Sequence, residues 1–161
     1  MARMEIRGFE EIELQLSKLA DPELAKEVVQ AGAQPIADQV RKEIENLPED
    51  KFRYLKKGEV FTGVPKQQKK DLLDSLGVTP ADIDFDGNAN TKIGFDGYGK
   101  MATKKYPKGV PNPLLARAIE SGSSVRKKTP FIRKAANRSK KKAEAEMQKK
   151  LDEQIEVIMR G

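Results

Sequence analysis

Leu24, Val28, Gly32, Ile36, Val40, Ile44 and Leu47 recur at spacings of three and four, and this stripe constrains the fold more than any other feature of the chain. So long a run at helical period fixes one long helix near the N-terminus, with an apolar face that must be covered. Asp21-Pro22 supplies its N-cap and a first-turn proline, and Leu47-Pro48 ends it. Pro35 falls inside the stripe. Its missing N–H removes a helical hydrogen bond, which predicts a kink or break near residues 31–34. Ahead of this helix, Phe9, Ile12, Leu16 and Leu19 mark a shorter one, opened by Glu10, Glu11 and Glu13 where negative charge is favourable.

A second long helix is expected at the other end. Thr129-Pro130 opens a segment whose apolar face is Phe131, Ala135, Met147, Leu151, Ile155 and Ile158. Between the two, residues 48–66 show no period beyond a short strand at 59–62, and a short helix is expected at about 66–76. In 82-DIDFDGNANTKI-93, Ile83 and Phe85 mirror Ile93 and Phe95 about Ala89, with Asp-Gly-Asn at the tip, which predicts a hairpin. Residues 97–111 carry Gly, Pro and Lys with little to bury, so a mobile loop is expected. Asn112-Pro113 caps a brief helix closed by Gly122. These readings give one α+β domain over residues 1–161, with long N- and C-terminal helices packed on a small antiparallel sheet or hairpin. Its parts are helical 9–47, loop 48–66, short helix and hairpin 67–96, loop 97–111, short helix 113–121 and C-terminal helix 130–160.

Leu, Ile, Val and Phe make 37 of the 161 residues, enough for only a thin core, so subunit contacts are expected to contribute to stability. The net charge of +6 is unevenly spread. Residues 1–50 hold 6 basic and 12 acidic side chains, and the remainder holds 25 and 13. Such polarity suits self-complementary assembly or contact with a polyanion. The chain has no cysteine, histidine or tryptophan, which removes disulfides, thiolates and every imidazole mechanism, and leaves only carboxylates to bind a metal. There is no signal-peptide pattern and no apolar run of membrane-spanning length, so a soluble protein made in the cytoplasm is expected.

Three motifs invite chemistry and fall short. Asp82, Asp84, Asp86 and Gly87 match the first half of a calcium loop, but Ile93 stands where the bidentate glutamate belongs. The stretch 94-GFDGYGKM-101 matches a phosphate-binding loop, but Met101 replaces the magnesium-binding hydroxyl, and Pro107, Gly109 and Pro111 forbid the helix that must follow. Ser75 has Asp71 and Asp74 nearby, but no lysine on its helical face to act as base. No metal, cofactor or catalytic site is therefore expected. The run 133-RKAANRSKKK-142 could track a phosphate backbone through Arg133, Lys134 and Arg138, and it contains no aromatics for base stacking. Its other reading is a solvated helix start balanced by the acidic residues that follow.

Three segments together resemble a known family. The Gly8-Phe9 helix start, KKDLLDSL (Lys69–Leu76) and 119-IESGSSVRKKTPFIRKA-135 occur in this order in phage tail-completion proteins, the small head–tail joining components of Hong Kong-type lambdoid phages and defective Bacillus prophages. Asp71, Leu72 and Ser75 match the segment before the hairpin. Glu120, Gly122 and Ser123 match a turn, with Ser121 where the family has an aromatic, and Pro130, Phe131 and Ala135 match the opening of the last helix. The resemblance implies a virion protein: a six-fold ring subunit at the head-proximal end of the tail, meeting the tail terminator, tail tube or head connector. In that role Phe131 would anchor the last helix on the sheet. Glu120 would bond backbone N–H groups around Gly122–Ser124, and Lys104, Lys105 and Lys108 would face a partner or the DNA path. The alternative is a small basic protein that binds DNA without sequence preference, which the charge favours and the acidic N-terminal third opposes.

Overall fold

The computed structural model describes residues 10–161, with side chains from residue 14 onward. The expected Gly8-Phe9 helix start lies outside the described residues, and so does the side chain of Ile12. Among the described residues, five helices and one antiparallel hairpin form the α+β fold that the sequence predicts. In chain order these are α1 (Glu10–Leu19), α2 (Pro22–Glu45), α3 (Lys66–Ser75), β1 (Leu76–Val78), β2 (Asp82–Ile83), β3 (Ala89–Asn90), β4 (Ile93–Phe95), α4 (Asn112–Ser121) and α5 (Phe131–Arg160).

Helix α2 begins as expected, with the Glu23 N–H donating to Asp21 Oδ1 at 3.0 Å. It runs through Pro35 without the expected break. Its neighbours Ala33 and Ala37 are buried with it, and packing on that face outweighs the one hydrogen bond that proline removes. The helix lies chiefly along α5, the most extensive contact in the molecule, while the hairpin rests on its flank. At the crossing, a Cβ built on Gly32 would sit 2.6 Å from Met147 Cγ, so glycine leaves the space that the Met147 side chain fills. Leu16, expected on a buried face of α1, is exposed.

The core gathers at the end of the molecule where α2 finishes and α5 begins. Val40, Ile44 and Leu47 of α2 and its end meet Leu72 of α3, Leu115 and Ile119 of α4, and Phe131 and Ala135 of α5. Phe95 of β4 packs on Phe131 with ring centroids 6.2 Å apart. Toward the opposite end, Val28 of α2 and Met147, Leu151, Ile155 and Ile158 of α5 are only half-buried, so the two long helices extend from the core as a thinly covered arm.

The hairpin forms, but not in the expected register. Leu76 pairs with Phe95 and Val78 with Ile93, while Ile83 faces Ala89. The mirror about Ala89 is thus replaced by a turn centred between Asp84 and Asn88. Asp84 Oδ1 accepts the N–H groups of Asp86 at 3.0 Å and Asn88 at 2.8 Å, and Gly87 has a φ of 83°. An aspartate that folds back on its own backbone fixes a turn more strongly than matched apolar residues fix a register. Residues 79–81 oppose only 91–92, a bulge at Pro80, and the Ala81 N–H is taken by Gln30 Oε1 of α2 at 2.8 Å.

Candidate functional site

Asp71 holds a loop in place. It is buried on α3, where Oδ1 accepts from Gln67 Nε2 at 2.8 Å and Oδ2 accepts the Lys100 N–H at 3.0 Å. The loop 97–111 expected to be mobile is a folded excursion. Gly99 N–H donates to Val110 O at 2.8 Å, Asn112 N–H to Gly97 O at 2.9 Å, and Thr103 and Tyr106 exchange backbone hydrogen bonds across its tip. Gly99 and Gly109 lie so close that a Cβ on Gly109 would be 1.9 Å from Gly99 O. Lys104, Lys105 and Lys108 are all exposed on this excursion. Asn112, expected as a helix cap, is instead buried with Nδ2 donating to Asp96 O at 2.9 Å. Leu72 is fully buried, and the Ser75 hydroxyl donates to Leu72 O, which makes it a helix end with no partner base.

The start of α5 carries most of the remaining motif residues. Pro130 precedes it and offers no side-chain cap. Glu120 supplies one from α4: Oε2 accepts the Ile132 N–H at 2.7 Å and Oε1 the Arg133 N–H at 3.1 Å. The carboxylate was expected on the turn at Gly122–Ser124. It reaches α5 instead because Gly122, with a φ of 76°, and the Thr129 N–H bond to Ile119 O bring that helix start back over α4. Unsatisfied N–H groups and the positive end of the helix dipole make this the stronger site for a carboxylate.

The basic run on α5 is partly committed within the chain. Glu43, 3% exposed on α2, accepts from Arg138 Nη1 at 2.7 Å and lies 3.6 Å from Lys134 Nζ, with Gln39 Nε2 donating at 3.0 Å. Burial alone would raise the Glu43 pKa. The hydrogen bonds from Gln39 and Arg138 and the charges of Arg138 and Lys134 outweigh it and hold the carboxyl below its ordinary value. Sequence reading missed Glu43, although the signal was present: it stands three residues after Val40 and four before Leu47, on the buried face, where a charge needs a partner.

A second unforeseen cluster ties loop 48–65 to the turn before α5. Arg126 donates to Gly63 O at 2.8 Å and Gln68 Oε1 at 3.1 Å, and its guanidinium lies 5.5 Å from the Phe61 ring. Burial pulls its pKa below the usual guanidinium value, and the Asp50 charge partly restores it. Burial works to raise the Asp50 pKa, but the Thr62 N–H and Arg53 keep it below the usual carboxylate value. Only a single bridge, Phe61 beside Arg126, forms where a short strand was expected.

Two exposed aromatics and a groove mark the remaining surface. Phe85 stands fully exposed at the hairpin tip, flanked by exposed Asp84 and Asp86, and Tyr54 is 98% exposed on loop 48–65. A groove of about 390 Å³ opens between the end of α2 and the start of α5, with Leu47, Pro48, Pro130 and Phe131 forming its apolar wall and Arg133 and Lys134 its rim. Among the described residues, no three acidic side chains converge as a metal site would require, and no helix is long and apolar enough to cross a membrane. No family model, curated protein or solved structure matches the chain.

Proposed function

We propose that the chain is a structural subunit of a phage neck, a tail-completion or head–tail joining protein that acts as a ring at the head-proximal end of the tail. The observation that carries this reading is where two of the three motif segments, Lys69–Leu76 and 119–135, meet. Leu72, Ile119, Phe131 and Ala135 share one core, and Glu120 caps the helix that Phe131 begins. The residues that prompted the resemblance thus have a common structural purpose, as a shared fold requires. Large aromatics on protruding tips, beside a thin core, suit a subunit completed by its neighbours. The ring is six-fold, its neighbours are tail terminator, tail tube or head connector, and the protein resides in the virion after synthesis in the host cytoplasm. Its role is assembly and not catalysis.

Light scattering with negative-stain microscopy tests this. Six copies of 18.0 kDa give about 108 kDa and a closed ring with a central opening. Salt-sensitive binding of duplex DNA by a monomer or dimer would overturn it in favour of the DNA-binding reading. The engagement of Lys134 and Arg138 by Glu43 weighs against that alternative.

A further inference from the structure

We infer that the hairpin tip of one copy docks in the α2–α5 groove of the next, Phe85 entering the apolar wall and Asp86 facing Arg133. This rests on the reading of the chain as a self-assembling subunit and names the contact through which it assembles.

The tip has the form of an inserting element. Phe85 is completely exposed and touches nothing that would recover its hydration cost, a large apolar side chain placed where a monomer gains least. It is not held loosely. Asp84 binds the backbone of Asp86 and Asn88, Gly87 N–H donates to Asp84 O at 3.0 Å, and the bulge below is tied to Gln30 of α2. A preorganised loop loses little freedom on docking.

The groove is complementary in shape class and in charge. Its volume of about 390 Å³ falls in the range of clefts that enclose a ring-sized group. The wall is apolar, and its rim carries Arg133 and Lys134; Glu43 in the lining is already engaged by Lys134 and Arg138, and the nearby Glu120 carboxylate is spent on the Ile132 and Arg133 N–H groups, which leaves the Arg133 guanidinium to meet an incoming carboxylate. The tip brings Asp82, Asp84 and Asp86, all exposed, with no basic residue between Pro80 and Thr91. An aromatic flanked by carboxylates therefore meets an apolar slot flanked by cations.

The two surfaces cannot meet within one chain. The tip is tied to α2 near Gln30 and the groove begins at Glu43, thirteen residues on, about 20 Å along the helix. Distinct patches at different ends of a subunit join head to tail, and such a contact closes into a ring when its rotation allows.

Because the chain has no cysteine, an Asp86→Cys/Arg133→Cys variant can form disulfides only among these positions, and the single variants Asp86→Cys and Arg133→Cys, expected to stay uncross-linked, report any pairing of like positions between copies. Mild oxidation is expected to give a ladder of covalent oligomers, with Asp86→Cys/Arg117→Cys, its second cysteine on an exposed position of α4, as the silent control. Phe85→Ala is expected to weaken association at least tenfold in light scattering while leaving the circular dichroism and melting of dilute monomer unchanged. Asp86→Lys should weaken it likewise, and adding Arg133→Asp should restore it. Rings that persist with Phe85→Ala and give no ladder overturn the docking and leave the ring reading standing. A ladder that stops at dimers keeps the docking and overturns the ring. A chain that stays monomeric and uncross-linked at all concentrations overturns the docking.

Discussion

Glu43 shows how one residue redirects the reading of ten others. Basic side chains near the start of a helix suggest an anionic partner, and here two of them find that partner on α2 in the same chain. Its pKa is held below the ordinary 4.5, so the stability it contributes is fully present above that value and is lost as pH falls through the folded pKa. Glu43→Gln should therefore lower stability at pH 7 by about 1–2 kcal/mol, the modest end for charged hydrogen bonds because Lys134 and Arg138 are half exposed. Melting curves from pH 3 to 7 should show the two proteins converging at the acid end; a constant gap would mean that the carboxylate's charge contributes nothing. At the start of α5, Phe131→Ala should cost about 3–5 kcal/mol because the ring is buried, and Glu120→Ala about 1 kcal/mol as the loss of a cap. Denaturant titration separates them. Equal costs would mean that the carboxylate holds α5 in place as firmly as the core does.

At the scale of elements, the two long helices, the short ones and the hairpin were legible because period and capping are local: seven residues at three-and-four spacing admit few alternatives. What was not legible depends on contacts distant in sequence. The hairpin register follows from Asp84 binding its own turn and from Gln30 receiving the bulge, and no alternation of Ile and Phe reports either. The loop 97–111 reads as mobile by composition, yet Asp71, twenty-nine residues before Lys100, holds it. Glycine spacing hid a packing requirement there. Gly109 has a φ of 105° and lies against Gly99 O, whereas Gly58, with a φ of 86°, has open space around it. Gly58→Ala should cost only the left-handed backbone term of about 1–2 kcal/mol. Gly109→Ala should cost more and expose residues 100–108 to protease, because the loop must open to admit the methyl group. Equal melting temperatures and equal cleavage rates would show that the Gly99–Gly109 contact does not hold the loop.

The whole molecule is divided between a compact end and a thin arm. The large, fully buried side chains Phe131, Ile44, Leu72 and Ile119 all belong to the compact end, whereas the arm carries exposed Leu14, Leu16, Val157 and Met159. Polar contacts along the arm lie at its surface: Glu27 pairs with Lys150 at 3.5 Å and accepts from Gln154 Nε2 at 2.8 Å, contacts worth little in water. A chain with so little buried at one end gains stability from any neighbour that covers it, and that gain depends on concentration. Across a hundredfold dilution from an assembled to a dissociated sample, the melting temperature should fall by several degrees, since each tenfold change is worth about 1.4 kcal/mol of association and each kcal/mol moves a domain of this size by about 2–4 °C. Hydrogen exchange on the dilute sample should show residues 145–160 of α5 opening well before residues 131–143. Salt provides the control, because attraction between copies through the acidic first third and the basic remainder would weaken as salt rises. If dilution lowers the melting temperature and Phe85→Ala abolishes that dependence, the missing stability resides in the contact between copies. A melting temperature that ignores dilution would place all of it in the compact end, and the arm would then be a surface for some other component.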